Sequence, residues 1–291
     1  MEDKDTFFSR KYLINCNGSL FDLSSRRIMG ILNVTPDSFY EGSRFTLKET
    51  ISAQIERFVT EGADIIDVGG YSSRPGAEHI PIEEEKERIL PVLDLIRKNY
   101  PDLILSVDTF RSEIAAKVVE DYRVDIINDI SAGEMDPAMF ETIAGLQVPY
   151  IMMHMKGTPQ NMKDKAQYED MIREMMDYFS LKYDQLRKLG VNDIILDPGF
   201  GFAKTVWHNY QLLNKLDQFK IFGLPIMVGL SRKSMIYKVL NISPDEALNG
   251  TTVLHTIALQ NGANILRVHD VKEAKEVITL LEKYRTITRD C

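Results

Sequence analysis

The sequence predicts a (β/α)8 TIM barrel with an N-terminal β-hairpin, and three observations carry that expectation. Short apolar runs and amphipathic stretches alternate eight times along the chain. The apolar runs show little polar alternation, as strands of a parallel sheet covered on both faces require. Nearly every run ends on a polar residue, and in a barrel those ends converge on one face. The length of 291 residues suits one barrel domain. The expected organisation is residues 1–26 as an N-terminal segment with the hairpin and residues 27–291 as the barrel. An open, doubly wound sheet is the runner-up, and it also places ligands at strand C-termini.

The elements follow in order. Residues 11–23 alternate around Asn17-Gly18, a hairpin turn pair. The eight strands are then expected at Arg27 to Leu32, Ile65 to Val68, Leu103 to Val107, Ile126-Ile127, Tyr150 to Met153, Ile194 to Leu196, Ile226 to Val228 and Ile265 to Val268. Helical periodicity follows each of them: Leu47 to Glu61, Glu83 to Lys98, Ser112 to Glu120, Ala138 to Ala144, Tyr168 to Leu189, Val206 to Leu216, segments including Asp245 to Gln260, and Lys272 to Tyr284.

Composition narrows the function classes. A net charge of -8 argues against a nucleic-acid footprint, while leaving room for a local basic pocket. The two cysteines, Cys16 and Cys291, form no metal or redox pattern. The charged start, Met1 to Lys11, lacks the apolar core of a signal peptide, and no run is long enough to span a bilayer. A cytoplasmic protein with no membrane partner is expected.

The strand ends carry Asn33, Asp67, Asp108, Asn128-Asp129, His154, Asp197, Arg267 and His269, and Ser231-Arg232-Lys233 follows the seventh strand. Each alone could cap a strand or helix; a whole set on one barrel face reads as an active site. Arg267, His269, Arg74 and Lys233 can supply positive charge and donors to an anion. Asn33 offers a hard carbonyl oxygen suited to Mg²⁺ beside a phosphate. Asp108, Asn128 and Asp197 suit a heterocycle with several N–H donors, because a buried carboxylate needs donors. The residues thus point to a nitrogen heterocycle beside a phosphate or diphosphate. His154, among Met152, Met153 and Met155, reads as a packed barrel histidine; His208 and His255 read as helix residues, and Asp67 as a structural strand-end group at least as much as a site residue.

Several motifs carry a resemblance: IMGILNVTPDSF from Ile28 to Phe39, DVGGYSSRPGA from Asp67 to Ala77, Ser106 to Thr109, Ile127 to Asp129, Met153 to Met155, DPGFGF from Asp197 to Phe202, Ser231 to Ser234, and Arg267 to Asp270. In order and content the chain resembles the dihydropteroate synthases. The resemblance implies an enzyme that joins a 6-hydroxymethyl-7,8-dihydropterin diphosphate to p-aminobenzoate, with Mg²⁺, as a homodimer and sulfonamide target. It implies that Asp108, Asn128, Asp197 and Lys233 bind the pterin. It implies that Asn33, Ser73, Arg74, Arg267 and His269 hold the diphosphate and the metal, and that Phe39, Pro75, Phe202 and Ser234 border the p-aminobenzoate. Asp108, Lys233, Arg267 and Asn33 would carry the catalysis. Three places depart from the family pattern: Tyr71 stands for the usual Glu, Ser73 for Thr, and Tyr40-Glu41-Gly42-Ser43 for Ser-Asp-Gly-Gly. The alternatives are a methyltetrahydrofolate-binding methyltransferase domain and a non-catalytic pterin-binding protein. The first should lack the motifs at Asn33, Ser231 and Arg267, all of which are present.

Overall fold

The computed structural model describes residues 12–34, 44–74 and 76–287. An antiparallel hairpin of β1 (Leu13–Cys16) and β2 (Ser19–Asp22) turns at Asn17-Gly18, both at positive φ. Eight parallel strands follow: β3 (Arg27–Asn33), β4 (Ile65–Gly69), β5 (Ile104–Asp108), β6 (Ile126–Asp129), β7 (Tyr150–Met153), β8 (Ile194–Asp197), β9 (Met227–Val228) and β10 (Ile265–Val268). Their order is β8-β7-β6-β5-β4-β3-β10-β9. A parallel bridge from Leu196 to Ile226 joins the two ends and closes the barrel. The open-sheet alternative is thereby excluded.

The helices are α1 (Arg44–Glu61), α2 (Ile82–Asn99), α3 (Ser112–Tyr122), α4 (Met139–Leu146), α5 (Met171–Lys188), α6 (Val206–Asn214), α7 (Ser234–Leu240), α8 (Leu248–Gln260) and α9 (Val271–Ile287). Capping moves some boundaries from the expected ones. α5 starts at Met171, because the Asp170 side chain accepts from the Arg173 backbone N–H and fixes the first turn there. α6 stops at Asn214 and continues as a 3₁₀ turn over Leu216–Phe222. The helical region after the seventh strand is two helices, because Asn241 ends α7 in the left-handed conformation and Pro244 follows it.

Side chains two apart along each strand share a face, and the inward faces form layers. The lowest holds Met29, Ile65, Ile104, Ile126, Ile151, Ile195, Met227 and Ile265, packed against Ile14, Cys16 and Leu23 of the hairpin segment. The hairpin therefore plugs the bottom of the barrel. Each such buried aliphatic side chain contributes about 1.5–3 kcal/mol of transfer free energy. One step up, the inward positions become Asp67, Ser106, Asn128, Asp197 and Arg267. The outward residues, among them Ile28, Ile66, Val68, Leu105, Val107 and Ile127, pack under the helices. A barrel plugged below and walled by helices leaves its polar layers one way to open, towards the C-terminal ends of the strands.

Candidate active site

Arg267 sits at the centre of the polar layer. Its Nε donates to Asp67 Oδ2 at 2.6 Å and its Nη2 to Asp108 Oδ2 at 2.8 Å. Asn128 Nδ2 donates to the same Asp67 oxygen at 3.0 Å. Asp67, completely buried, is thus the hub that holds Arg267 and Asn128 in place. Its strand-end hydrogen bonds are structural, as the sequence suggested, and they lie within the site itself. Strand register sets Asn33, Gly69, Asp108 and Asn128 side by side across β3 to β6. A Cβ on Gly69 would lie 3.5 Å from both Asn33 Oδ1 and Asp108 Cβ, so the glycine keeps the space between them open.

Burial dominates the electrostatics. It pushes the Asp108 carboxyl up to about 7; Arg267 opposes that rise, while Asp67, Glu85 and Asp129 add to it. Burial works against the charge on Arg267, yet Asp67 and Asp108 keep its pKa above the ordinary value. Burial also brings Lys233 down to about 8, with Asp197 resisting, and raises Asp197 despite Lys233 beside it. His269, exposed at the rim as a residue, is brought down to about 4 by desolvation of its ring and by the neighbouring Arg267, which favours the neutral imidazole.

The loop after β8 meets the loop after β9. Lys233 Nζ donates to the Phe200 carbonyl and lies 4.9 Å from the centre of the Phe202 ring. Asp197 Oδ1 accepts from Gly199 N–H at 2.8 Å, which fixes the carboxylate. Gly199 has φ +71°, and a Cβ there would run into the His154 carbonyl oxygen. The turn therefore requires glycine for both conformation and space. His154 is packed as expected: it is buried, edge-on to the Tyr178 ring at 4.9 Å, and accepts from Lys204. His269 Nδ1 lies 3.0 Å from Ser231 Oγ, which also accepts from the His269 backbone N–H. Arg232, next to Lys233, faces away and grips Asp270 with Nε and Nη2 at 2.8 and 2.9 Å.

The structure therefore gathers Asn33, Asp108, Asn128, Asp197, Lys233 and Arg267 on the inward face, with His269 and Phe202 at its rim. Ser234 opens α7 directly after Lys233. Ser73 is half-buried and Arg74 exposed on the β4–α2 loop, and neither is hydrogen-bonded into the central set. Phe39, Pro75 and the Tyr40 to Ser43 departure lie outside the described residues. Tyr71, where the family commonly has Glu, is buried and edge-on to Phe110 at 5.0 Å, in a cluster with Ile130, Met153, Met155 and Met162. Its hydroxyl accepts from Gln160 Nε2 at 2.9 Å and lies 3.2 Å from His79 Nδ1. The aromatic body fills an apolar niche while the hydroxyl finds polar partners. His208, one of the two helix histidines, completes a capping box with Thr205 at the start of α6.

Sequence reasoning missed Lys204 and Asn209. Both are buried against the DPGFGF turn, and Lys204 lies two residues beyond that motif. Among the described residues, no group of three His, Cys, Asp or Glu side chains is arranged to hold a metal ion.

Comparison with known proteins agrees with this geometry. The pterin binding enzyme family matches residues 29–269. The dihydropteroate synthase of Escherichia coli K12 is 41% identical over 270 residues, covering 91% of this chain and 94% of that protein. This chain belongs to the dihydropteroate synthase family. The dihydropteroate synthase of Synechocystis is 42% identical over 263 residues, 89% of this chain and 90% of that protein. Among solved structures, Yersinia pestis dihydropteroate synthase in a sulfonamide drug complex superposes with a TM-score of 0.88 at 37% identity. It covers 94% of this chain and 99% of its own. Xanthomonas albilineans dihydropteroate synthase with 4-aminobenzoic acid gives 0.87 at 35% identity, over 94% and 98%.

Proposed function

We infer that the chain catalyses the dihydropteroate synthase reaction of folate biosynthesis. It joins 6-hydroxymethyl-7,8-dihydropterin diphosphate to p-aminobenzoate, giving 7,8-dihydropteroate and diphosphate. The observation that carries this reading is the pairing at the barrel mouth. Asp197 and Lys233, a carboxylate and an ammonium close enough to act on each other's charge, stand on one side and a clamped arginine, Arg267, on the other.

Asp197 and Asp108 accept from the ring N–H groups of the pterin, Asn128 pairs with another ring edge, and Lys233 donates to the ring. Arg267 keeps N–H groups beyond its two carboxylate bonds, and these face the developing charge of the leaving diphosphate. Ser231 Oγ accepts the His269 N–H, so its own hydrogen can go to Nδ1. That leaves the ring proton on Nε2, the tautomer able to donate to an anion. Ser73 and Arg74 reach the diphosphate from the β4–α2 loop, while Phe202 and Ser234 border the amine.

The donors present fit a magnesium ion in one respect. Asn33 Oδ1 is a hard ligand beside the open space at Gly69, and a diphosphate supplies the charge that the protein does not. When bound there, Mg²⁺ neutralises the diphosphate oxygens. The bond from the pterin methylene carbon to the diphosphate oxygen breaks, the amine nitrogen bonds to that carbon, and the amine proton leaves to solvent. The electron-rich ring can share the positive charge on the carbon. A loosely bonded transition state with the amine attacking late is therefore favoured, and alignment of the two reactants lowers the barrier.

The experiment is amine-dependent diphosphate release with Mg²⁺ and both substrates. Dihydropteroate should form in equal amount. Binding of the pterin without amine-dependent release would instead favour a non-catalytic pterin-binding protein.

The pH dependence follows from the two shifted groups. Asp108 must be ionised to accept from the ring, so kcat/KM for the pterin substrate should rise through pH of about 7. Lys233 must be protonated to donate, so it should fall above about 8. Lys233→Met should lower kcat/KM by about 10- to 150-fold, the worth of a charged hydrogen bond, and erase the basic limb. A basic limb unchanged in that variant would show that another group sets it.

The same reading includes a homodimer, sulfonamide inhibition at the amine site and a cytoplasmic location. No helix among the described residues is long and apolar enough to cross a membrane. Val239 and Leu240 of α7, Val253 of α8 and Leu280 of α9 are exposed apolar side chains on neighbouring helices, and this reading assigns a dimer face to them. A single-chain mass in sedimentation would contradict it.

A further inference from the structure

The turn between β8 and α6 is held from behind by two side chains that the reaction itself does not use. Lys204 is 9% exposed. Its Nζ lies 3.0 Å from the Gly199 carbonyl, 3.1 Å from the Phe202 carbonyl and 3.1 Å from His154 Nδ1, with the His154 carbonyl at 3.4 Å. Burial lowers His154 well below its usual range, so the imidazole is neutral and its Nδ1 can accept. Asn209, 1% exposed, accepts the Gly201 N–H on Oδ1 at 2.7 Å. It is fixed in turn by its own donation to the Thr205 carbonyl at 2.7 Å. Lys204 thus holds the first and last carbonyls of the turn, and Asn209 holds the amide between them.

The front of the same turn sets the groups that read the ligand. Gly199 N–H orients Asp197, and the Phe200 carbonyl receives Lys233. The turn is therefore a strip of backbone held between two lysines, Lys204 behind and Lys233 in front. Its four residues, Gly199 to Phe202, include two glycines at positive φ, so little within the strip resists deformation once its holds are removed.

We propose that Lys204 and Asn209 are positioning residues for pterin binding: they hold the 199–202 turn so that Asp197 and Lys233 stand at the spacing the pterin requires. Neither touches the substrate. The proposal rests on the assignment of Asp197 and Lys233 to the pterin.

The test is titration calorimetry of the full chain with the pterin substrate and Mg²⁺, amine omitted, at a temperature well below each variant's Tm. Lys204→Met keeps the length and removes the donors; it should weaken pterin affinity about tenfold in folded protein. Asn209→Ala should act in the same direction. The double variant should lose less than the product of the two, because both act through one turn. Lys204→Arg, which retains donors, should recover part of the loss. A Lys204→Met protein that melts lower but binds as the parent does would overturn the proposal and leave Lys204 a stability residue. If Lys204→Met does not fold, unchanged affinity in Asn209→Ala overturns it equally. Should the parent itself fail to bind the pterin, the assignment of Asp197 and Lys233 fails instead, which is a separate result.

Discussion

Replacing Arg267 with methionine is expected to remove about 3–5 kcal/mol of stability and to lower kcat/KM by at least about a hundredfold. The stability loss comes from what the guanidinium leaves behind. Asp67 Oδ2 and Asp108 Oδ2 both lose their arginine partner inside the barrel, and the two carboxylates then face each other uncompensated. Asp108, already raised to about 7, should rise further and take up a proton at neutral pH. The kinetic loss comes from the missing donor at the leaving group. Arg267→Lys separates the two effects. It restores the charge and part of the stability, but a single ammonium cannot bond Asp67 and Asp108 from two edges while facing a diphosphate. Denaturant melts and steady-state kinetics read both effects; a methionine variant with parental stability or parental kinetics would contradict the account.

Asp197→Asn is expected to weaken pterin binding by at least about a hundredfold, about 3 kcal/mol, while the protein remains folded. The asparagine oxygen can still accept the Gly199 N–H that fixes the turn. Its NH₂ group, however, meets ring N–H donors where the carboxylate oxygen stood, so donor faces donor. The charge change adds to this, because Lys233 and Lys204 both sit near Asp197 and both have pKa values already lowered by burial, to about 8 and about 7. Without the carboxylate both should lose protons more readily. Calorimetry with the pterin substrate reads the loss, and an asparagine variant within threefold of the parent would remove Asp197 from the ring-binding set.

The fold was legible because its period is. Eight apolar runs without alternation, each followed by a helical stretch, leave a closed parallel barrel as the economical arrangement, and the bridge from Leu196 to Ile226 completes it. The site was legible for the same reason: a polar residue ending an apolar strand points into a mouth shared with seven others. Partnership was not legible. Nothing at Asp67 distinguishes a hub from a cap, since its role depends on Arg267, distant in sequence and adjacent in the barrel. Lys204 and Asn209 were invisible because their work is on backbone carbonyls and amides, which every sequence has. The meaning of Tyr71 lay in Phe110, Met153 and Gln160, which chain order does not bring together.

The central claim is that the polar strand ends divide into a ring-reading set around Asp197 and Lys233 and a diphosphate-holding set around Arg267. The most direct measurement is the affinity of the parent, Asp197→Asn and Arg267→Lys for two ligands: the dihydropterin diphosphate and the same dihydropterin bearing only its alcohol. Asp197→Asn should weaken both ligands by the same factor, whereas Arg267→Lys, which also loosens Asp108, should weaken the diphosphate ester at least about tenfold more than the alcohol. Equal losses for both ligands in both variants would contradict the division.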